Sequence, residues 1–302
     1  MLRLLLLLSL ALLAFAPSGL SADPSVQRLL DAADLMPDVE YGKVGDRVLH
    51  MDIATPKIQT SAPMPVVLWI HGGGWEGGSY KDSPAIILPL YGFFTASIEY
   101  RLSGEAPWPA QLEDCKLAIR WLRANQKKYH INPERFGVWG HSAGGHLAVC
   151  LGVAGDAPPS DKDAPYAELT SRVEAVVDWA GPTDFTDPAS MNDLLRGLAA
   201  KLCGGPITEK EAIWKDASPV LHVPVDVPPV LIFHGELDTV VPIHNSERLK
   251  SALKQVHGHF ELVRVANGDH GLRSLRGQPP ADPDIQIVLR HVIDFFNGTL
   301  KQ

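Results

Sequence analysis

The chain has 302 residues, a formal net charge of −8 and a hydrophobic content of 45%, which is enough for a substantial core. An acidic balance without a long basic run argues against nucleic acid as a partner. No internal repeat or low-complexity tract follows the N-terminus. These features predict one folded domain over residues 23–302.

Residues 1–22 have the composition of a secretory signal peptide. Arg3 precedes an apolar run at residues 4–15, and small residues come before Asp23, so we expect cleavage after Ala22. The run is short for a membrane span, and we expect no stable span after cleavage. The predicted location is secreted or periplasmic, and an uncleaved N-terminal anchor is the alternative.

The remaining chain alternates predicted strands and helices. Residues 23–37 form a lead-in with room for one helix, and residues 39–44 and 47–53 form a hairpin. The further predicted strands are 66–70, 94–99, 136–139, 173–179, 230–234 and 259–265. The predicted helices are 84–91, 109–129, 143–151, 191–202, 208–215, 243–256 and 283–296. This pattern predicts an α/β fold with a mainly parallel sheet, helices on both faces and an antiparallel N-terminal hairpin.

Two glycine-rich segments follow predicted buried strands. His71–Trp75 reads HGGGW, and glycines there let backbone N–H groups face a ligand; a flexible turn is the alternative. Gly140–Gly144 reads G-x-S-x-G between a strand and a small-residue helix. Such a sharp turn would expose the Ser142 hydroxyl beside the positive end of the helix. A glycine-rich helix start capped by Ser142 is the alternative.

A serine hydroxyl needs a base to become a nucleophile, and the base is usually a histidine oriented by a carboxylate. Asp238 and His270 lie in loops that follow the predicted strands 230–234 and 259–265, at the sheet edge where α/β proteins place their sites. With Ser142 they form a candidate catalytic set. Glu236 and Asp184 are rival acids.

We predict structural rather than catalytic roles for the other histidines near these motifs. His141 and His146 are too close in sequence to Ser142 to turn back onto its oxygen. His71, in the glycine loop, and His234, at a strand end, are expected to brace their loops.

The histidine and cysteine spacing indicates neither a metal site nor a particular disulfide. His257 and His259 lack a third ligand at suitable spacing, so we predict no metal site and no cofactor. Cys115, Cys150 and Cys203 are an odd set, so at least one thiol is free, and the sequence does not choose a pair for a disulfide.

Four segments together resemble the signatures of the α/β-hydrolase esterases near hormone-sensitive lipase. They are His71–Trp75, Gly140–Gly145, His234–Asp238 and Gly268–Gly271. Ser218-Pro219 and Pro228–Val230 are similar to the branch of bifunctional acetyl-xylan and feruloyl esterases, and the resemblance covers roughly residues 38–297. It implies the α/β-hydrolase fold and a Ser142–His270–Asp238 triad.

The same resemblance implies an oxyanion hole formed by the backbone N–H groups of Gly73, Gly74 and Ala143. The H-G-G-x-W variant also occurs in kynurenine formamidases, so Trp75 is an alternative donor.

The short segments before residue 39 and at residues 182–227 predict a small cap or none, and therefore a shallow, open site. We expect Trp75, Tyr80 and Trp108 to face solvent there. These features favour a secreted serine esterase acting on acetyl or feruloyl esters of plant polysaccharide. The alternatives are a small-molecule carboxylesterase or arylformamidase, and a binding module without catalysis, against which the intact Ser–Asp–His set argues.

Overall fold

The computed structural model describes residues 33–58, 61–155 and 164–302. The predicted signal peptide lies outside the described residues. Eight strands form one sheet: β1 Ala33–Val44, β2 Arg47–Pro56, β3 Met64–Ile70, β4 Phe94–Ile98, β5 Ile131–His141, β6 Ala175–Trp179, β7 Val230–Gly235 and β8 Phe260–Val265. The α-helices are α1 Ala110–Ala124, α2 Gln126–Tyr129, α3 Ala143–Ala154, α4 Asp193–Leu202, α5 Ile207–Asp216, α6 His244–Gln255 and α7 Ile285–Leu300. The segment Pro84–Tyr91 is a 3₁₀-helix.

The strand order is β1-β2-β4-β3-β5-β6-β7-β8. The pairs β1–β2 and β2–β4 are antiparallel, and every later pair is parallel. The predicted hairpin and parallel sheet are therefore confirmed. Because β5 lies in the middle of this order, the turn after it opens at the centre of the sheet's carboxyl edge.

The predicted lead-in spans residues 23–37, of which 23–32 lie outside the described residues, and residues 33–37 do not form the helix for which it had room. Those residues belong to β1, which starts at Ala33 opposite Pro56 of β2. A register irregularity between Met36 and Val39 lets the strand continue past Pro37. Pairing with β2 outweighs the local preference here.

Helices cover both faces of the sheet because its central strands are apolar on both sides. All seven residues of β3 are buried, and alternate residues face opposite layers. Val66 and Leu68 join the cluster that contains Leu147 of α3, whereas Val67 and Trp69 join the cluster that contains Val292 of α7.

All three cysteines are buried and free. Burial raises the pKa of the Cys203 thiol to about 12. Within the described residues, no helix is both long and apolar enough to cross a membrane.

Candidate active site

Ser142 occupies a strained turn between β5 and α3. Its φ of 57° and ψ of −121° are unusual for a residue with a side chain. A Cβ on Gly140 would lie 2.0 Å from the carbonyl oxygen of Gly144, and a Cβ on Gly144 would lie 2.0 Å from that of Ile70. The two glycines of the motif are therefore required by close backbone approach.

The glycine loop after β3 lies directly beside this turn. A Cβ on Gly72 would lie 3.1 Å from Cβ of Ser142. Gly73, Gly74 and Trp75 have φ values of 110°, 61° and 58°, so three consecutive residues have left-handed backbone. All three line the same cleft as Ser142.

Ala143, the third predicted donor, also lines this cleft and is the first residue of α3. The backbone N–H groups in the first turn of a helix have no partner within the helix and carry its positive end. The structure thus brings Gly73, Gly74 and Ala143 to one cleft, with Trp75 beside them.

Asp238 and His270 are paired. Oδ2 of Asp238 lies 2.7 Å from Nδ1 of His270, and Oδ1 accepts hydrogen bonds from the backbone N–H groups of Val240 and Val241. The carboxylate is fully buried, whereas 19% of the His270 side chain is exposed. Burial would raise the pKa of Asp238, but hydrogen bonds from His234 and His270 outweigh it and lower that pKa. The carboxylate therefore stays charged and fixes the orientation of the imidazole.

Neither rival acid occupies this position. The Glu236 carboxylate faces Arg264, with an N–O distance of 3.8 Å. Asp184 accepts hydrogen bonds from the hydroxyl of Thr186 and from Arg248. Both carboxylates have other partners, while Asp238 holds His270.

His141 supports the loop of His270. Its Nε2 lies 3.0 Å from the backbone oxygen of His270, and the two rings are 4.8 Å apart. Burial, and then repulsion from His270, lowers the pKa of His141 to about 4. His141 is therefore neutral at pH 7 and donates this hydrogen bond through Nε2.

A buried carboxylate lies beneath the Ser142 turn. Asp178 of β6 is fully buried, and its Oδ1 accepts a hydrogen bond from the backbone N–H of Gly181. A Cβ on Gly145 would lie 2.5 Å from this oxygen, so Asp178 packs against the first turn of α3. Burial raises the pKa of Asp178 to about 7, although the bond from Gly181 opposes this effect.

Ser142 and His270 line one cleft of about 750 Å³. Helix α4 supplies one wall through Leu195 and Leu198, and a Cβ on Gly74 would lie 3.0 Å from the Leu198 methyl groups. Among the described residues, the segment between β6 and β7 carries α4 and α5, and α4 covers one side of the cleft. This cleft has the volume of a typical small-molecule pocket.

The expected solvent-facing aromatic residues are mostly buried, so that prediction is wrong. Trp75 is 1% exposed and Trp108 is 6% exposed, and both pack against His146. The indole of Trp75 packs in the core against the rings of His146 and Phe185. Trp108 donates a hydrogen bond from Nε1 to the carboxylate of Asp216, which ties it to α5. Tyr80 is half-buried.

Among residues 33–58, 61–155 and 164–302, no group of three or more His, Cys, Asp or Glu side chains could hold a metal ion.

Comparison with known proteins assigns the family. A family model described as BD-FAE matches residues 51–253. The chain belongs to the BD-FAE family. A solved structure titled as a truncated carbohydrate esterase from gut microbiota matches this family member with a TM-score of 0.75 and 31% identity, over 89% of this chain and 97% of that one. The α/β-hydrolase fold is therefore confirmed.

Two proteins of Mycobacterium tuberculosis are also similar to this BD-FAE chain. The probable carboxylic ester hydrolase LipM is 32% identical over 225 residues, which are 72% of this chain and 52% of LipM. Esterase LipC is 31% identical over 255 residues, which are 80% of this chain and 62% of LipC. The aligned regions thus span between half and two thirds of those relatives. Their similarity supports the placement near the hormone-sensitive-lipase-like esterases.

Two features of this BD-FAE site were not assigned from the sequence. His234 lies 3.2 Å from Asp238 in addition to bracing its loop, and Leu198 packs over the glycine loop. Both contacts depend on how loops and helices pack, and no local motif encodes them.

Proposed function

We propose that this protein is a serine carboxylesterase that uses Ser142, His270 and Asp238. The observation that carries the proposal is the 2.7 Å contact between Asp238 and His270, in a cleft that His270 shares with the strained Ser142 turn. A buried, charged carboxylate on Nδ1 leaves Nε2 of the imidazole free to accept a proton.

In the proposed reaction, His270 removes the hydroxyl proton of Ser142 as its oxygen attacks the ester carbonyl. The resulting oxyanion accepts hydrogen bonds from the backbone N–H groups of Gly73, Gly74 and Ala143, with Trp75 as the alternative donor. Each such donor is worth about 3 kcal/mol in the transition state. His270 then protonates the leaving alcohol, and water releases the acyl group from Ser142 by the same steps.

For the substrate, we infer an acetyl or feruloyl ester on plant polysaccharide. The similarity to a solved carbohydrate esterase supports this, and a cleft of about 750 Å³ has room for either acyl group. The similarity to the two mycobacterial esterases favours a small-molecule carboxylesterase as the second candidate; an arylformamidase is a further alternative from the HGGGW segment. We propose that the mature protein is secreted or periplasmic and takes an ester substrate, with no nucleic acid partner.

The nucleophile is tested by Ser142→Ala, whose smaller side chain leaves the glycine contacts of the turn unchanged. We expect normal folding by circular dichroism, loss of p-nitrophenyl acetate hydrolysis and loss of labelling by a fluorophosphonate. A variant that keeps more than a tenth of the parent kcat would show that Ser142 is not the nucleophile.

The substrate is tested by rates on acetylated xylan, methyl ferulate, p-nitrophenyl acetate and N-formylkynurenine. The polysaccharide proposal expects the largest kcat/KM on acetylated xylan or methyl ferulate. A preference for N-formylkynurenine would contradict it and favour an arylformamidase. A wild-type protein that neither hydrolyses any of these nor reacts with the fluorophosphonate would favour a binding module.

A further inference from the structure

A second histidine contacts the carboxylate that holds His270. His234 lies near the end of β7, and both its side chain and that of Asp238 are fully buried. Nε2 of His234 is 3.2 Å from Oδ2 of Asp238, the same oxygen that lies 2.7 Å from Nδ1 of His270. One carboxylate oxygen therefore lies between two imidazoles.

The partners of His234 determine where its proton sits. Nε2 lies 2.9 Å from the backbone oxygen of Val241, which can only accept a hydrogen bond, so Nε2 must carry hydrogen. Nδ1 lies 2.7 Å from the hydroxyl of Ser246, which can donate to it. The neutral Nε2–H tautomer satisfies both contacts, and its N–H is shared between Val241 and Oδ2 of Asp238.

We propose that His234 is a positioning residue that fixes the rotation of the Asp238 carboxylate for His270. In the described part of the chain, three of the four N–H groups on this carboxylate come from β7 and the turn after it: those of Val240 and Val241 on Oδ1, and that of His234 on Oδ2. Together they aim Oδ2 at the loop of His270 without needing His270 itself. This inference rests on the proposed role of Asp238 in catalysis.

Two amide variants separate this role from simple space-filling. His234→Gln places an N–H near the position of imidazole Nε2 and loses the contact with Ser246. His234→Asn places a polar atom near the position of Nδ1 and loses the donor to Asp238. The two variants differ by one methylene and both lose one polar contact in the same buried place, so each serves as the control for the other.

We expect His234→Asn to lower kcat on p-nitrophenyl acetate by about 10²-fold with little change in KM, because a misplaced carboxylate misaligns the base. His234→Gln should rescue most of that loss, and both should melt at similar temperatures. Equal losses in the two variants, or full activity in the Asn variant, would overturn the proposal.

A wild-type measurement decides the inference even if a variant fails to fold. Nitrogen NMR of histidine-labelled protein should show Nε2 of His234 protonated and Nδ1 unprotonated; the opposite tautomer would overturn the proposal. A wild-type protein without esterase activity would defeat the proposed function, whereas an active wild type with an insensitive His234→Asn variant would defeat this inference alone.

Discussion

Asp178 gives this protein a stability that depends on pH around neutrality. The folded carboxyl keeps its proton up to a pKa of about 7, against an ordinary value of 3.8, because it is fully buried and accepts only one hydrogen bond among the described residues. Between these two values the folded state binds more protons than the unfolded state. The free energy of unfolding therefore falls as pH rises through this window, and the stability that the neutral carboxyl contributes is fully lost above the folded pKa.

Asp178→Asn removes this ionisation and keeps the oxygen that accepts from Gly181. Between pH 5 and pH 8 the unfolded carboxyl is ionised throughout, whereas the folded one changes from neutral to charged. Two pH units of that interval lie below the folded pKa, which corresponds to about 3 kcal/mol. From pH 5 to pH 8, the free energy of unfolding of the wild type should fall by this amount relative to that of Asp178→Asn.

Urea unfolding of both proteins at pH 5 and pH 8 measures this difference. All other titrating groups are present in both proteins, so their contributions cancel in the comparison. The variant also removes the electrostatic influence that Asp178 and the nearby His234 and Cys150 side chains have on each other. If the stability difference between the two proteins changes by less than about 1 kcal/mol across this range, Asp178 is ionised in the fold and the reasoning is wrong.

The remaining predictions concern the acid, the turn and the cleft. Asp238→Asn should lower kcat by about 10⁴-fold, as in other triads, whereas Glu236→Gln should change kcat less than about threefold. The reverse ranking would assign the acid role to Glu236 instead of Asp238. Gly144→Ala should cost about 3 kcal/mol in thermal unfolding through its backbone clash, whereas Gly298→Ala, in open space on α7, should stabilise by about 0.5 kcal/mol. We expect a larger kcat/KM on the acetyl than on the octanoyl p-nitrophenyl ester. Leu198→Ala should reduce this difference by about 0.8 kcal/mol in transition-state free energy per newly buried CH₂. An unchanged difference would show that Leu198 does not line the acyl site.

Much of the fold follows from local patterns. Strands such as β3 are apolar on both faces, so the sequence marks them as buried and parallel. The motif residues lie directly after such strands, and parallel strands bring their carboxyl ends to one edge. This is why the sequence alone predicts that Ser142, Asp238 and His270 lie at one edge of the sheet.

Contacts made by long-range packing could not be predicted in this way. Trp75 was expected in solvent, but its indole lies in the core against His146 and Phe185, which are distant in sequence. Leu198 reaches Gly74 only because α4 folds back across the cleft, where Lys201 also pairs with Glu76. Likewise, β1 extends to Ala33 because β2 provides a partner for it.

The backbone contacts around Ser142 bear on how this family could change its substrates during evolution. Close backbone approach at Gly72, Gly140 and Gly144 fixes the Ser142 turn, and a larger residue at any of these positions would meet a neighbouring backbone atom. The cleft wall, in contrast, includes side chains of α4 such as Leu195 and Leu198. Under the proposed function, mutations in α4 can therefore alter which acyl groups fit while the Ser142 turn stays in place, so a new specificity can arise without passing through an inactive ancestor.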